Sequence, residues 1–209
     1  MIRFFDLFLS SIGLIFFSPI FIIVGIAIKL NSKGPIFYRQ QRVGKNGVNF
    51  SLLKLRSMFA ESDKIGLITI GNNDSRITRV GRFIRKYKID ELPQLFNVLN
   101  GSMSIVGPRP EVGKYVAMYN DYQRSVLSIK PGITDFASLY FRNENKILEN
   151  KNNPEEYYIK FIITQKTRLN LIYINNYNLK TYFLIIFKTI KSIFFDKRTC
   201  LFSTQKNAV

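Results

Sequence analysis

Two adjacent carboxylates, Asp90 and Glu91, stand at the head of an apolar stripe formed by Leu92, Leu95, Phe96 and Leu99. The stretch before them, RITRVGRFIRKYK from Arg76 to Lys88, brings Arg79, Arg82, Arg85 and Lys86 close together, and a further arginine follows in Gly107-Pro108-Arg109-Pro110. This combination suits phosphate chemistry. Guanidinium forks match phosphate oxygens in shape and charge, as do the free N–H groups of a helix start. A carboxylate can attack phosphorus to give an acyl phosphate, dividing one hard displacement into two, while its neighbour shares a magnesium ion with phosphate oxygens. Each piece alone has a plainer explanation. Acids in a first helical turn are caps worth roughly 0.5–2 kcal/mol, basic runs are solvated faces, and Gly-Pro-Arg-Pro is a turn.

Composition narrows the chemistry. The chain has no histidine, which removes Ser-His-Asp, Cys-His and histidine-ligated zinc schemes and leaves base work to Asp, Glu, Lys or Tyr. Cys200 is the only cysteine, so there is no intrachain disulfide and a reducing compartment fits. Lys and Arg number 31 against 14 Asp and Glu, a formal charge of +17, so the partner is expected to be anionic: nucleic acid, acidic lipid or a phosphorylated substrate. With 209 residues, one catalytic unit plus appendages is expected.

Several elements must hold these groups in place. From Leu7 to Ile28 runs an uncharged stretch of about 22 residues, enough helix to cross a hydrocarbon core. It is too long for a cleaved signal peptide and lacks a small-x-small cleavage site. Ser18-Pro19 falls in its middle, where proline removes a backbone hydrogen bond. Two topologies follow: a kinked transmembrane helix, or a re-entrant helix that bends at Ser18-Pro19 and leaves by the face it entered. Basic residues on both sides, Arg3 before and Lys29, Lys33, Arg39 and Arg42 after, fit the second. Asp6 is expected at the interface within reach of Arg3.

Pro35 to Arg42 and Phe50 to Arg56 read as strands of a hairpin turned by Asn46-Gly47. Residues 59 to 75 read mainly as loop. A helix starting close to Asp90 and ending at Gly101 would set the carboxylate pair at a helix N-terminus. Further helices are expected from Glu111 to Leu127, Glu155 to Ile174 and Leu179 to Phe195, the last basic and aromatic-rich. The fold class is thus α-rich α+β: a hydrophobic N-terminal helix over 1–30, a catalytic core with a small hairpin over 31–150, and C-terminal helices with a tail over 151–209, resting on a membrane surface.

The strings GPIFYRQQRVGKNG, FSLLKLRSM, RITRVGRFIRKYKIDELPQLFNVLNGSMSIVGPRPE and KPGIT, in this order behind a proline-containing apolar N-terminus, closely resemble the bacterial sugar transferases, the monotopic phosphoglycosyl transferases. The resemblance covers roughly Arg3 to Thr134. It implies an enzyme of the bacterial inner membrane, its catalytic part facing the cytoplasm, that takes a sugar 1-phosphate from a UDP-sugar, releases UMP and delivers the sugar phosphate to polyprenol phosphate. It further implies that Asp90 is the nucleophile and that Glu91 beside it helps hold Mg²⁺. Arg85 and Arg109 would meet phosphate, Ser18-Pro19 would be the re-entrant break, and Arg3 and Asp6 would match the basic and acidic positions that begin that helix. Arg56 also matches, as a substrate or structural cation. Membrane lipids are implied surroundings and downstream glycosyltransferases implied partners. The chain departs from the family pattern after Thr134, with Asp135-Phe136-Ala137-Ser138 where many members have Gly-Trp-Ala-Gln.

A reading of another class is a membrane-anchored basic module that binds anionic lipid or nucleic acid, the carboxylates serving only as caps. The sequence carries no RNA- or DNA-binding signature, which sets nucleic acid aside as a partner.

Overall fold

A computed structural model describes residues 1–62 and 74–194. Most of the expected 59–75 loop and Cys200 lie outside the described residues. The chain opens with α1 (Ile2–Asn31), about 45 Å of continuous helix. It runs through Pro19 uninterrupted, where a break was expected. Pro19 has no N–H to offer the carbonyl of Ile15 one turn back, and the Ser18 hydroxyl donates to that same carbonyl at 2.8 Å. The hydroxyl supplies the bond that the proline removes.

One face of α1 is docked on the rest of the protein along its whole length. Ile2, Asp6, Ser10, Val24, Gly25 and Ile28 are buried, while Phe4, Phe8, Ile15, Phe16, Ile22 and Ile26 on the opposite side are exposed. At 100° per residue these form two opposed stripes. Near the N-terminus Arg3 donates to the carbonyls of Val98 and Leu99. Near the C-terminus Val24 and Ile28 join Leu55 and Ile84 in one apolar cluster.

Strands β1 (Phe37–Val43) and β2 (Asn49–Leu55) pair antiparallel, Phe37 opposite Leu55 and Val43 opposite Asn49. The Asn46-Gly47 turn is as expected, with φ of +56° and +79°. Helix α2 (Arg79–Lys86) starts at Thr78, whose hydroxyl accepts from the Gly81 N–H, and a left-handed Lys88 at φ +58° ends it. The Asp90-Glu91 pair lies on a separate 3-10 turn, Ile89–Glu91, and α3 (Gln94–Leu99) begins only after Pro93. A single helix from Asp90 was the expectation. Gly101, at φ +88°, closes α3 in the expected left-handed position.

Beyond α3 a short parallel pair that the sequence did not announce joins β3 (Ser104–Val106) to β4 (Gly132–Thr134). The expected 111–127 helix is broken into α4 (Gly113–Val116) and α5 (Asp121–Arg124), because Asn120 starts a new helix through a reciprocal capping box with Gln123. Then follow α6 (Phe136–Tyr140), α7 (Glu144–Glu149), α8 (Pro154–Tyr157), a π turn at Tyr158–Ile162, α9 (Ile163–Asn175) and α10 (Leu179–Phe194). α10 returns to the start of the chain, where the Tyr182 hydroxyl donates to Asp6 at 2.9 Å and Phe183 meets Phe5 edge to face.

Candidate active site

The dyad is held by its neighbours on three sides. Lys88 turns the chain sharply out of α2, and Ile89 packs beneath into the cluster formed by α1, Leu55 and Ile84. α3 is tied to β2 by buried Asn97, whose Oδ1 accepts from the Leu53 N–H at 2.9 Å and whose amide donates to the Ser51 carbonyl at 2.8 Å. These bonds fix Lys54, the next residue of β2, relative to the carboxylates.

The Gly-Pro-Arg-Pro turn leaves β3 and is pinned by backbone. Gly107 donates to Thr134 and Gly132 to Pro108, both at 3.0 Å. A Cβ on Gly132 would fall 2.0 Å from the Gly107 nitrogen, so no side chain fits there. Arg109 donates its own N–H to Asp135 at 3.0 Å, and Arg42 of β1 donates to the Pro110 carbonyl at 3.0 Å. From this fixed base the Arg109 guanidinium reaches Glu91 with both arms, at 2.5 and 3.1 Å.

The two acids therefore sit in different electrostatic states. Burial and the adjacent Glu91 charge push Asp90 up to about 6, opposed by Lys54, Arg85 and Lys88. Asp90 is 7% exposed and its Oδ1 is buried without a hydrogen-bond partner. For Glu91 burial also raises the pKa, but Arg109, Lys88 and Lys54 outweigh it and hold the carboxyl well below its usual range. The Glu91 charge in turn raises Arg109. Burial, with the charges of Arg42 and Arg109, pulls the Lys54 ammonium down to about 7.

Among the residues expected in the site, the structure brings together Asp90, Glu91 and Arg109, and sets Arg85 within electrostatic reach of Asp90. Arg56 goes elsewhere. Its guanidinium donates to the carbonyls of Ser32 at 2.6 Å and Lys33 at 2.8 Å and to the Ser32 hydroxyl at 3.0 Å, closing the C-terminus of α1. It is a structural cation. Asp6 does not pair with Arg3; buried, it accepts from Ser104, Ile105 and Tyr182. Lys54, Lys88 and Asp135 were missed as parts of the site. Lys54 stood inside the FSLLKLRSM string, so its signal was present without a partner to interpret it.

The donor set can be tested against a magnesium ion. Among the described residues no three Asp, Glu, Cys or His side chains cluster. Mg²⁺ commonly takes one or two carboxylates and fills the remaining positions with phosphate oxygens and water. The partnerless Asp90 Oδ1 with Glu91 beside it meets that need, although both Glu91 oxygens are held by Arg109 without substrate.

The long apolar α1 is consistent with membrane association, and the cations around Asp90 and Glu91 make a site suited to anions. The chain belongs to the bacterial sugar transferase family, whose sequence pattern matches residues 1–196. It is 36% identical over 200 residues to the UDP-glucose:undecaprenyl-phosphate glucose-1-phosphate transferase of Klebsiella pneumoniae, covering 92% of this chain and 40% of that protein. It is 35% identical over 191 residues to the UDP-N-acetylgalactosamine-undecaprenyl-phosphate N-acetylgalactosaminephosphotransferase of Aeromonas hydrophila, covering 90% and 42%. Against the exopolysaccharide production protein ExoY of Rhizobium meliloti the identity is 31% over 208 residues, covering 91% and 84%. The chain thus spans less than half the length of the first two and most of the third.

Proposed function

We propose that this protein transfers a sugar 1-phosphate from a UDP-sugar to polyprenol (undecaprenyl) phosphate, releasing UMP, through a covalent intermediate on Asp90. The observation that carries this reading is the unequal dyad: a buried, partnerless Asp90 carboxylate beside a Glu91 already neutralised by Arg109. The names of the Klebsiella and Aeromonas relatives support the substrate classes, and glucose and N-acetylgalactosamine are the sugars they carry.

In the first half-reaction an Asp90 oxygen attacks the phosphorus that bears the sugar. The new bond is Asp90 O–P, the bond broken joins that phosphorus to the bridging oxygen of the diphosphate, and UMP leaves with the electron pair. In the second, an oxygen of polyprenol phosphate attacks the same phosphorus, freeing Asp90 and giving a polyprenol diphosphate sugar. The acceptor oxygen is already anionic at neutral pH, so no general base is needed. Lys54, Arg85 and Arg109 face the charge that builds on the phosphoryl oxygens. Asp90 and Glu91 would hold Mg²⁺, which when bound polarises the phosphate and neutralises its charge. Arg109 would then exchange Glu91 for phosphate.

The docking of α1 supports a one-leaflet topology. Its two ends are fastened to the same body, Arg3 to α3 and the Ser32 and Lys33 carbonyls to Arg56 of the hairpin, while its outer stripe is uncharged and mostly apolar between residues 7 and 28. A helix lying along the body in this way presents that stripe to lipid with both ends on the cytoplasmic side. Cysteines introduced on either side of residues 7–28 should label from one side only in right-side-out and inverted vesicles, and labelling from opposite sides would end this topology.

The activity is tested by screening UDP-sugars for UMP release with polyprenol phosphate, together with covalent retention of radioactive sugar phosphate. Full turnover in Asp90→Asn would defeat the reading. Membrane or nucleic-acid binding indifferent to magnesium and UDP-sugar, with no UMP released, would favour a basic binding module instead.

A further inference from the structure

Helix α2 turns Gly81 and Ile84 into the protein and leaves Arg79, Arg82, Phe83, Lys86 and Tyr87 on its outer side. Steps of three and four residues align these five on one face. Phe83 is 57% and Tyr87 50% exposed, yet their rings lie 5.0 Å apart, and the Lys86 ammonium sits 5.3 Å from the Tyr87 ring. The face has no acid of its own, and among the described residues no carboxylate pairs with Arg79, Arg82 or Lys86. Nothing in the transfer chemistry requires two aromatic rings in water between unopposed cations.

The placement of this face points to its occupant. Ile84 packs in one cluster with Val24 and Ile28 of α1, and the Val80 N–H donates to the Asn31 side chain at 3.3 Å. α2 therefore stands beside the C-terminal end of α1, where the exposed apolar stripe ends and Lys29 begins the basic flank. Aromatic rings and cations arrayed together are the usual contents of a protein surface at headgroup level.

We propose that the outer face of α2 is a binding surface for the anionic phospholipid headgroups of the bilayer, with Phe83 and Tyr87 seated at the interface and Arg79, Arg82 and Lys86 on lipid phosphates. This rests on the one-leaflet placement of α1. It adds a lipid-composition requirement that α1, uncharged through its exposed stripe, does not have. Tyr87 precedes Asp90 by three residues, so lipid bound at α2 holds the nucleophile at the depth where a lipid phosphate acceptor presents its own phosphate.

The chain contains no tryptophan, so Phe83→Trp creates a single fluorescent reporter in the full protein. In nanodiscs of phosphatidylcholine with about a third phosphatidylglycerol, a blue-shifted emission and roughly several-fold quenching by lipids brominated close to the headgroup are expected. Both effects should largely disappear in pure phosphatidylcholine, and also when Arg79→Gln, Arg82→Gln and Lys86→Gln are combined. A second reporter, Ile15→Trp on the exposed face of α1, should be quenched in every lipid. Water-like, unquenched emission from the Phe83→Trp reporter alongside a quenched Ile15→Trp reporter overturns the proposal and leaves the placement of α1 standing. Absence of quenching at both positions overturns the placement of α1 and this proposal with it. Quenching at position 83 that needs added polyprenol phosphate and ignores phosphatidylglycerol also overturns it, by assigning the face to the acceptor.

Discussion

Asp6 and Asp90 are both buried aspartates, and they are treated in opposite ways. Asp6 Oδ1 receives the Ser104 hydroxyl, the Ile105 N–H and the Tyr182 hydroxyl, each at 2.9 Å, and so fastens α1 to β3 and α10. Asp90 Oδ1 receives nothing, and its carboxyl is pushed up to about 6 by burial and by Glu91. Asp135 falls in with Asp6, since its two oxygens accept the backbone N–H groups of Arg109 and Ser138. An acid saturated with donors is a fastener. An acid denied donors, with cations near but not in contact, is held at a cost in stability, as expected of the nucleophile proposed for Asp90.

The sharpest way to break this comparison is Asp90→Asn. It should lower turnover by at least about 10³-fold, since the adjoining Glu91 carboxylate has both oxygens held by Arg109. It should also stabilise the fold. Asp90 has a folded pKa above its unfolded value, so its contribution is favourable below about pH 4 and is lost as pH rises through about 6. At pH 7 the neutral amide avoids that loss, on the order of 2 kcal/mol, which a thermal melt in detergent at pH 7 and pH 5 would resolve. A lower melting temperature would mean that Asp90 is a fastener after all. Asp6→Ala should do the reverse. It strands three donors, two of them buried, and should destabilise by roughly 2–4 kcal/mol, with UMP release per folded molecule little changed.

These contrasts separate what was legible in the sequence from what was not. The adjacency of Asp90 and Glu91, the apolar run of α1, the Asn46-Gly47 turn and the closing Gly101 are local features, each decided within a few residues. The ties that give the acids their roles are not local. Tyr182 lies 176 residues from Asp6, and the site cation Lys54 is placed through Asn97, more than forty residues away. The sequence left Arg56 open as a substrate or structural cation because its partners are backbone carbonyls, which leave no mark in a sequence. The start of α3 was misplaced because Pro93 suits both the first turn of a helix from Asp90 and the cap of a helix that begins after it.

Arg109→Lys tests how much of the site depends on the fork rather than the charge. A lysine keeps the cation but cannot hold Glu91 with two parallel bonds or reach phosphate in the same way. The expected result is a KM for UDP-sugar raised about 10- to 100-fold. An unchanged KM would reduce Arg109 to a structural partner of Glu91.

The smallest effect separates Asp90 from the other acids among the described residues. If Asp90 is the nucleophile, the rate of intermediate formation should fall below pH about 6, as the carboxyl takes up a proton and loses its lone pair to it. Two changes should move that limb in opposite directions. Lys54 is one of the cations that hold the Asp90 pKa down, so Lys54→Met should shift the limb upward, even where the overall rate also drops. Raising the magnesium concentration should shift it downward, because a cation held by Asp90 and Glu91 would favour the charged form. The measurement is single-turnover labelling by radioactive UDP-sugar from pH 5 to 8. A limb that ignores both Lys54 and magnesium would belong to another group, and the contrast between a satisfied Asp6 and a reactive Asp90 would lose its kinetic support.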